Sequence, residues 1–336
     1  MPAKEARGGS RVKKSILSIL IFCLFLFPLF LSCTKKEAGP NDEKKIKVVT
    51  TLFPLYDFAR NVGGNLVRVE LLLPPGMEPH SFEPKPADIR TINDADVFLY
   101  TGEYMEPWVE DVLRGISNKK LQVVDTSTGI LLAEERAPSD QHQREHKSQG
   151  AQGHNHALGA KDPHIWLDFS NAQTMVENIL NGFIARDPDN RQVYLKNAEA
   201  YSLQLALLDK HYRDGLSSCR KDTLIHGGHF AFGYLARRYH LRYLSAYRGI
   251  SPNAEPSPRD VIGLIQSVRA HRLSAVFFEE LVAPNMADTI ARETGAKLLI
   301  LHGAHNISKN EWEQKVTFLA LMENNLKNLK IGLECE

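Results

Sequence analysis

An excess of charge of either sign is what this chain most plainly lacks. Lys and Arg number 41 against 40 Asp and Glu, a net charge of +1 over 336 residues. No basic excess is left to draw in nucleic acid. Cysteine is scarce as well, with only Cys23, Cys33, Cys219 and Cys335. Long apolar runs are confined to one, Ile16 to Leu31, and the HExxH signature of zinc proteases is absent. No carboxylate is obviously placed as a general base for a zinc hydrolase, although Glu78 and Glu279 can be proposed for it.

The single apolar run has a clear meaning. Arg7, Arg11, Lys13 and Lys14 precede it and Ser32-Cys33 follow it. A positive n-region and an h-region too short for a lasting membrane span read as a signal peptide over residues 1–32. A small residue before Cys33 resembles a bacterial lipobox, with Phe30 where Leu or Val is usual, so Cys33 is the expected lipidation site. Cleavage there removes five Lys/Arg and one Glu, leaving a mature charge of about −3. Residues 33–45 are polar, carry Gly39-Pro40 and read as a flexible tether. Cys219 and Cys335 then remain as an even pair in an oxidising compartment. They are a disulfide candidate, two separate buried thiols being the alternative.

From Ile46 onward short β-rich runs alternate with amphipathic helical runs, as in "IKVVTT", "FPLYDFARNVGG" and "LVRVELLL". That order implies a parallel sheet with helices on both faces. Residues 138–160, rich in Gly, Gln, Ser, Lys and His, interrupt it and read as a disordered insertion. Two helical stretches follow, at 171–186 and 189–217, the second long enough to span roughly 40 Å. The alternation then restarts at "DTLIHGG" and ends in one expected helix, "SKNEWEQKVTFLALMENNLKNL", with a Ser cap. The expected fold is thus α/β: an N-terminal lobe over 46–187, a linking helix over 188–218 and a C-terminal lobe over 219–336. About 290 residues suffice for two such cores.

In open parallel sheets, ligands bind beyond the carboxyl ends of the strands. Four of the thirteen histidines meet that rule: His80, His164, His229 and His302, the last directly after "KLLIL". Two fall in each lobe, so they can converge between lobes, and imidazole suits Zn²⁺ better than Mn²⁺ or Fe²⁺. His211, His240 and His271 read as surface residues, His226 as a partner behind a ligand, and His305 as a polar loop residue. Glu78 or a water is the alternative fourth ligand.

The motifs "GMEPHSFEPKPADI", "DPHIWLD", "HGGHFAFGYLARRYHL", "SPNAEPSPRDV" and "FFEELVAPNMADTIARETGAK" carry a resemblance. They look like the metal-specific substrate-binding proteins of bacterial ABC importers, cluster A-I, in the zinc-uptake (ZnuA-type) branch. The resemblance implies three histidine ligands at His80, His164 and His229, with Glu279 orienting one of them. It also implies a mobile His-rich loop, whose His142, His146, His154 and His156 are weak accessory ligands. The implied function is tight extracytoplasmic capture of Zn²⁺ and delivery to an ABC permease. The implied protein is a monomer, held by its lipid at the periplasmic or cell-surface side of the cytoplasmic membrane. A zinc-dependent hydrolase or a metal-binding surface adhesin is the alternative.

Overall fold

A computed structural model describes residues 45–134, 161–247 and 256–336. Residues 1–44, 135–160 and 248–255 lie outside them. With those go the expected signal peptide, Cys33, all of the expected tether but Lys45, and His142, His146, His154 and His156, the expected accessory ligands.

The first sheet is built from β1 (Ile46–Thr50), β2 (Val67–Leu71), β3 (Val97–Tyr100) and β4 (Gln122–Asp125). Its order is β2-β1-β3-β4, with every pair parallel. The crossovers carry α1 (Phe53–Gly63), α2 (Pro86–Asn93) and α3 (Val109–Gly115). Val48, Val97, Phe98 and Leu99 are buried, the mark of central strands covered on both faces.

The second sheet repeats the order, β6-β5-β7-β8, again all parallel. Its strands are β5 (Thr223–His226), β6 (Arg242–Ser245), β7 (Ala275–Phe278) and β8 (Lys297–Ile300). The helices of this half are α6 (Gly233–Arg238), α7 (Pro258–Ala270) and α8 (Asn285–Thr294), followed by α9 (Lys309–Glu313) and α10 (Phe318–Gly332).

Between the sheets run α4 (Phe169–Arg186) and α5 (Arg191–Leu216). The 26 residues of α5 rise about 39 Å along the axis. Tyr194, Ala198, Tyr201, Leu205, Leu208 and Tyr212 recur every three or four positions and form its buried face. Two of these tyrosines tie α5 to both halves. Tyr201 Oη donates to Asp57 of α1 at 2.9 Å, and Tyr212 Oη donates to the Met322 carbonyl of α10 at 2.6 Å. Phe58 of α1 meets Phe318 of α10 edge to face, with ring centroids 5.0 Å apart. The two lobes thus share one continuous core.

Cys219 and Cys335 form a disulfide that joins the residues just beyond α5 to the end of the chain. The expected single C-terminal helix is two. Lys315 takes a left-handed φ of 55° and Thr317 restarts the helix, its hydroxyl accepting from the Ala320 N–H.

Candidate metal centre

Four imidazoles meet where the strand ends of the two sheets face one another: His80, His164, His229 and His305. One ring nitrogen from each lies within 4.8 Å of the others. His164 Nε2 stands 3.4 Å from His80 Nε2 and 3.4 Å from His229 Nε2. The vertices of a tetrahedron around zinc, at Zn–N of about 2.05 Å, are about 3.3 Å apart. These two Nε2–Nε2 separations match that value, and the four nitrogens are close enough to share one ion.

Each ring is brought there by a different local device. Glu78 folds the loop after β2, its two carboxylate oxygens accepting from the backbone N–H of His80 and of Ser81, both at 3.0 Å. Asp162 accepts from the backbone N–H of His164 at 3.0 Å and faces its Nδ1 at 2.8 Å. His229 leaves β5 through Gly227-Gly228. A Cβ at Gly228 would stand 2.2 Å from Glu279 Oε1, so a side chain there would displace the carboxylate. That carboxylate accepts from the His229 N–H at 3.2 Å and lies 2.5 Å from His229 Nδ1.

His305 sits on a strap running from Gly303 to Ile307 that belongs to the second half and is fastened to the first. Trp166 Nε1 donates to the Gly303 carbonyl at 2.8 Å, and Phe53 N–H donates to the His305 carbonyl at 3.1 Å. Asn306 Nδ2 donates to the carbonyls of Pro74 and Met77 at 2.7 and 2.9 Å, and Gly76 N–H donates to Ile307 at 2.8 Å. The loop carrying His80 is thus held by the strap carrying His305.

The carboxylates on the outer nitrogens fix the tautomers. Asp162, Glu279 and Glu280 face Nδ1 of His164, His229 and His305, the last at 3.3 Å, which leaves Nε2 of each ring for the ion. Burial, with the neighbouring imidazoles adding to it, holds the pKa of His80 and His164 well below the usual range. Burial and His305 hold His229 at about 3. These rings are neutral at pH 7, the state in which imidazole binds a metal.

His302 does not belong to the group. The expectation that it supplies the fourth ring rested on its place directly after β8. The structure turns the chain at Ala304, with a left-handed φ of 57°, and sends His305 back toward the other three. His302 is instead buried behind the site, its Nδ1 accepting from Ala304 N–H at 2.9 Å and its Nε2 3.4 Å from Glu311 Oε1. The reading of His305 as a polar loop residue is corrected with it. Gly303 makes room for that ring: a Cβ there would stand 2.4 Å from it. His226 lies outside the group too: its Nδ1 accepts from Gly228 N–H at 3.3 Å, and its ring packs on Phe232.

Two parallel α/β halves, a long linking helix and a buried imidazole cage at their facing strand ends define a class: two-lobed metal-binding receptors. Residues 48–332 match the family described as "Zinc-uptake complex component A periplasmic", and the chain belongs to that family. It is 36% identical over 321 residues to the high-affinity zinc uptake system protein ZnuA of Bacillus subtilis, covering 96% of this chain and 98% of that one. It is 33% identical to the zinc-binding lipoprotein AdcA of Streptococcus pneumoniae, of which it spans only 60%. Among solved structures, the Zn(II)-bound ZnuA-like domain of S. pneumoniae AdcA superposes with a TM-score of 0.70 at 32% identity, over 86% of this chain and 99% of that domain. A laminin-binding adhesin of Streptococcus agalactiae gives 0.73 at 30% identity, over 86% and 99%.

Proposed function

We propose that this protein captures Zn²⁺ outside the cytoplasm with His80, His164, His229 and His305 and delivers it to the membrane permease of an ABC importer. The observation that carries this reading is the convergence of one ring nitrogen from each of four histidines within 4.8 Å, with three of the rings faced from behind by buried carboxylates. A purely imidazole cage favours Zn²⁺ over the oxygen-preferring Mn²⁺.

Four nitrogen donors fill a tetrahedron. That argues for a carrier over a hydrolase, because a catalytic zinc keeps one position open for water. His80 is half-buried and the other three are buried, so the ion enters and leaves past His80. The shared core leaves little room for wide domain opening, and release on the permease is a local displacement of the His80 loop and the strap. Lipid attachment at Cys33 with residues 33–45 as tether, action as a monomer, and the lobe boundaries at 187/188 and 218/219 complete the proposal.

The test is competition of the purified protein with a zinc chelator. His305→Ala is expected to weaken zinc binding by roughly 100-fold or more, beyond the range seen when a residue behind a ligand is lost. His302→Ala is expected to stay within about tenfold of the parent. The reverse ranking would return the fourth position to His302.

A further inference from the structure

Behind the cage lies a buried carboxylate that the zinc reading does not require. Glu280 follows Glu279 in sequence, and the chain turns sharply just after it, with Leu281 at a left-handed φ of 63°. The two neighbouring carboxylates go to different histidines, as successive side chains on extended backbone point opposite ways. Glu279 faces His229, whereas Glu280 Oε1 faces His305 Nδ1 at 3.3 Å and Glu280 Oε2 accepts from Gly303 N–H at 2.6 Å. One side chain thus grips the strap at two points, two residues apart, and one of them is the metal-facing ring.

The grip continues outward. His302 Nδ1 stands 3.5 Å from Glu280 Oε1, and His302 Nε2 stands 3.4 Å from Glu311. Glu311 closes a capping box with Ser308 at the start of α9, accepting from Ser308 N–H at 2.8 Å. Trp312 of the same helix packs on Tyr56 of α1, ring centroids 5.0 Å apart. His305, Glu280, His302 and Glu311 therefore lie in succession from the cage to a helix that rests on the other lobe, His302 standing between the two carboxylates by proximity while its Nδ1 accepts from Ala304 N–H.

Charge gives Glu280 a second task. Four neutral imidazoles leave a bound divalent cation with its full +2, buried. Asp162 and Glu279 answer for two rings, while His80 shows no carboxylate facing its Nδ1 among the described contacts. Without Glu280, His305 would have neither an acceptor to fix its tautomer nor a charge to raise its basicity.

We infer that Glu280 is a positioning residue for zinc binding: through His305 Nδ1 it holds that ring with Nε2 toward the ion and supplies part of the compensating negative charge. This rests on the proposed cage, and the test separates the two. The experiment is a double-mutant cycle on purified protein with His305→Ala, Glu280→Gln and the double variant. It is read by zinc affinity and by the visible d–d band of the Co²⁺ complex, which reports geometry at the metal. Glu280→Gln is expected to lower zinc affinity by roughly 10- to 100-fold and to move the Co²⁺ band. In the His305→Ala background the same change is expected to cost clearly less than in the parent, because the ring that Glu280 holds is gone and only its charge remains. Should Glu280→Gln fail to fold, Glu280→Asp takes its place in the cycle.

Losses that add in the double variant would mean a general structural role and overturn the inference. So would a Glu280→Gln protein with the parent's affinity and band. If His305→Ala itself matched the parent, the cage assignment would fall instead.

Discussion

Two glutamates buried in this molecule titrate in opposite directions, and the difference lies in what faces them. Glu280 is pushed up by burial, but His302, His305 and the Gly303 N–H outweigh that and bring it down to about 2. No cation faces Glu106 among the described residues. Thr51 Oγ1 and the N–H groups of Thr101 and Gly102 donate to it, yet burial prevails and lifts it to about 7. Its folded pKa thus lies above the ordinary 4.5, and between those values the native state holds a proton that the unfolded chain has released. The contribution to stability is fully present below pH 4.5 and is lost as pH rises to about 7, a swing of about 3 kcal/mol at most. Urea unfolding of the metal-free protein should show the stability of Glu106→Gln, relative to the parent, rising by that order between pH 4.5 and 8. A constant difference would refute it. Sequence reasoning saw neither glutamate, because burial and facing charge are tertiary facts. His80, His164 and His229 were legible because they lie on strand-end loops within motifs. His305 was not, because distance from a strand end says nothing of the direction in which a loop turns.

At the scale of elements, the strand–helix alternation was legible almost throughout, since period-two and period-3.6 patterns are local properties. The break in the last helix was missed: Glu311 to Leu329 keeps an acceptable helical pattern, and only Lys315 in the left-handed region interrupts it. Thr317, able to cap a new start, was the available clue. The cysteine pair was readable from compartment and count. It closes a loop with a sequence separation of 116, for which the chain-entropy model gives about 5 kcal/mol as an upper value. Replacing both cysteines by Ser should lower unfolding stability by about 2–5 kcal/mol while leaving zinc affinity unchanged. Cys219 precedes β5 and the cage lies beyond its far end, so the bond and the ion site lie at opposite ends of that strand. Denaturant titration paired with chelator competition on the same variant checks both halves of the statement.

Across the whole molecule, the tight cage and the His-rich insertion are separable. Glu134 and Lys161, on either side of residues 135–160, pair in an antiparallel bridge, with Lys161 Nζ 3.8 Å from Glu134 Oε1. The chain can therefore be rejoined with a short turn. Deleting residues 139–159 should leave the tight zinc-binding event intact and lower the number of weakly held zinc ions seen by calorimetry. Loss of the tight event would make the insertion part of the cage.

The wide spacing of the four cage residues along the chain also orders events in time. His80 and His164 are 84 positions apart, and His164 and His229 are 65 apart. In an unfolded polypeptide, gathering such distant rings requires closing several long loops at once, an entropic cost that no half-formed site repays. His154 and His156, two positions apart, carry no such cost. If the insertion's histidines act as the accessory ligands the resemblance implies, a nascent or translocating chain would hold metal only transiently on them. On the proposed cage, secure loading waits until both sheets stand and the strap has crossed between them, so the ion would register that folding is complete and take no part in starting it.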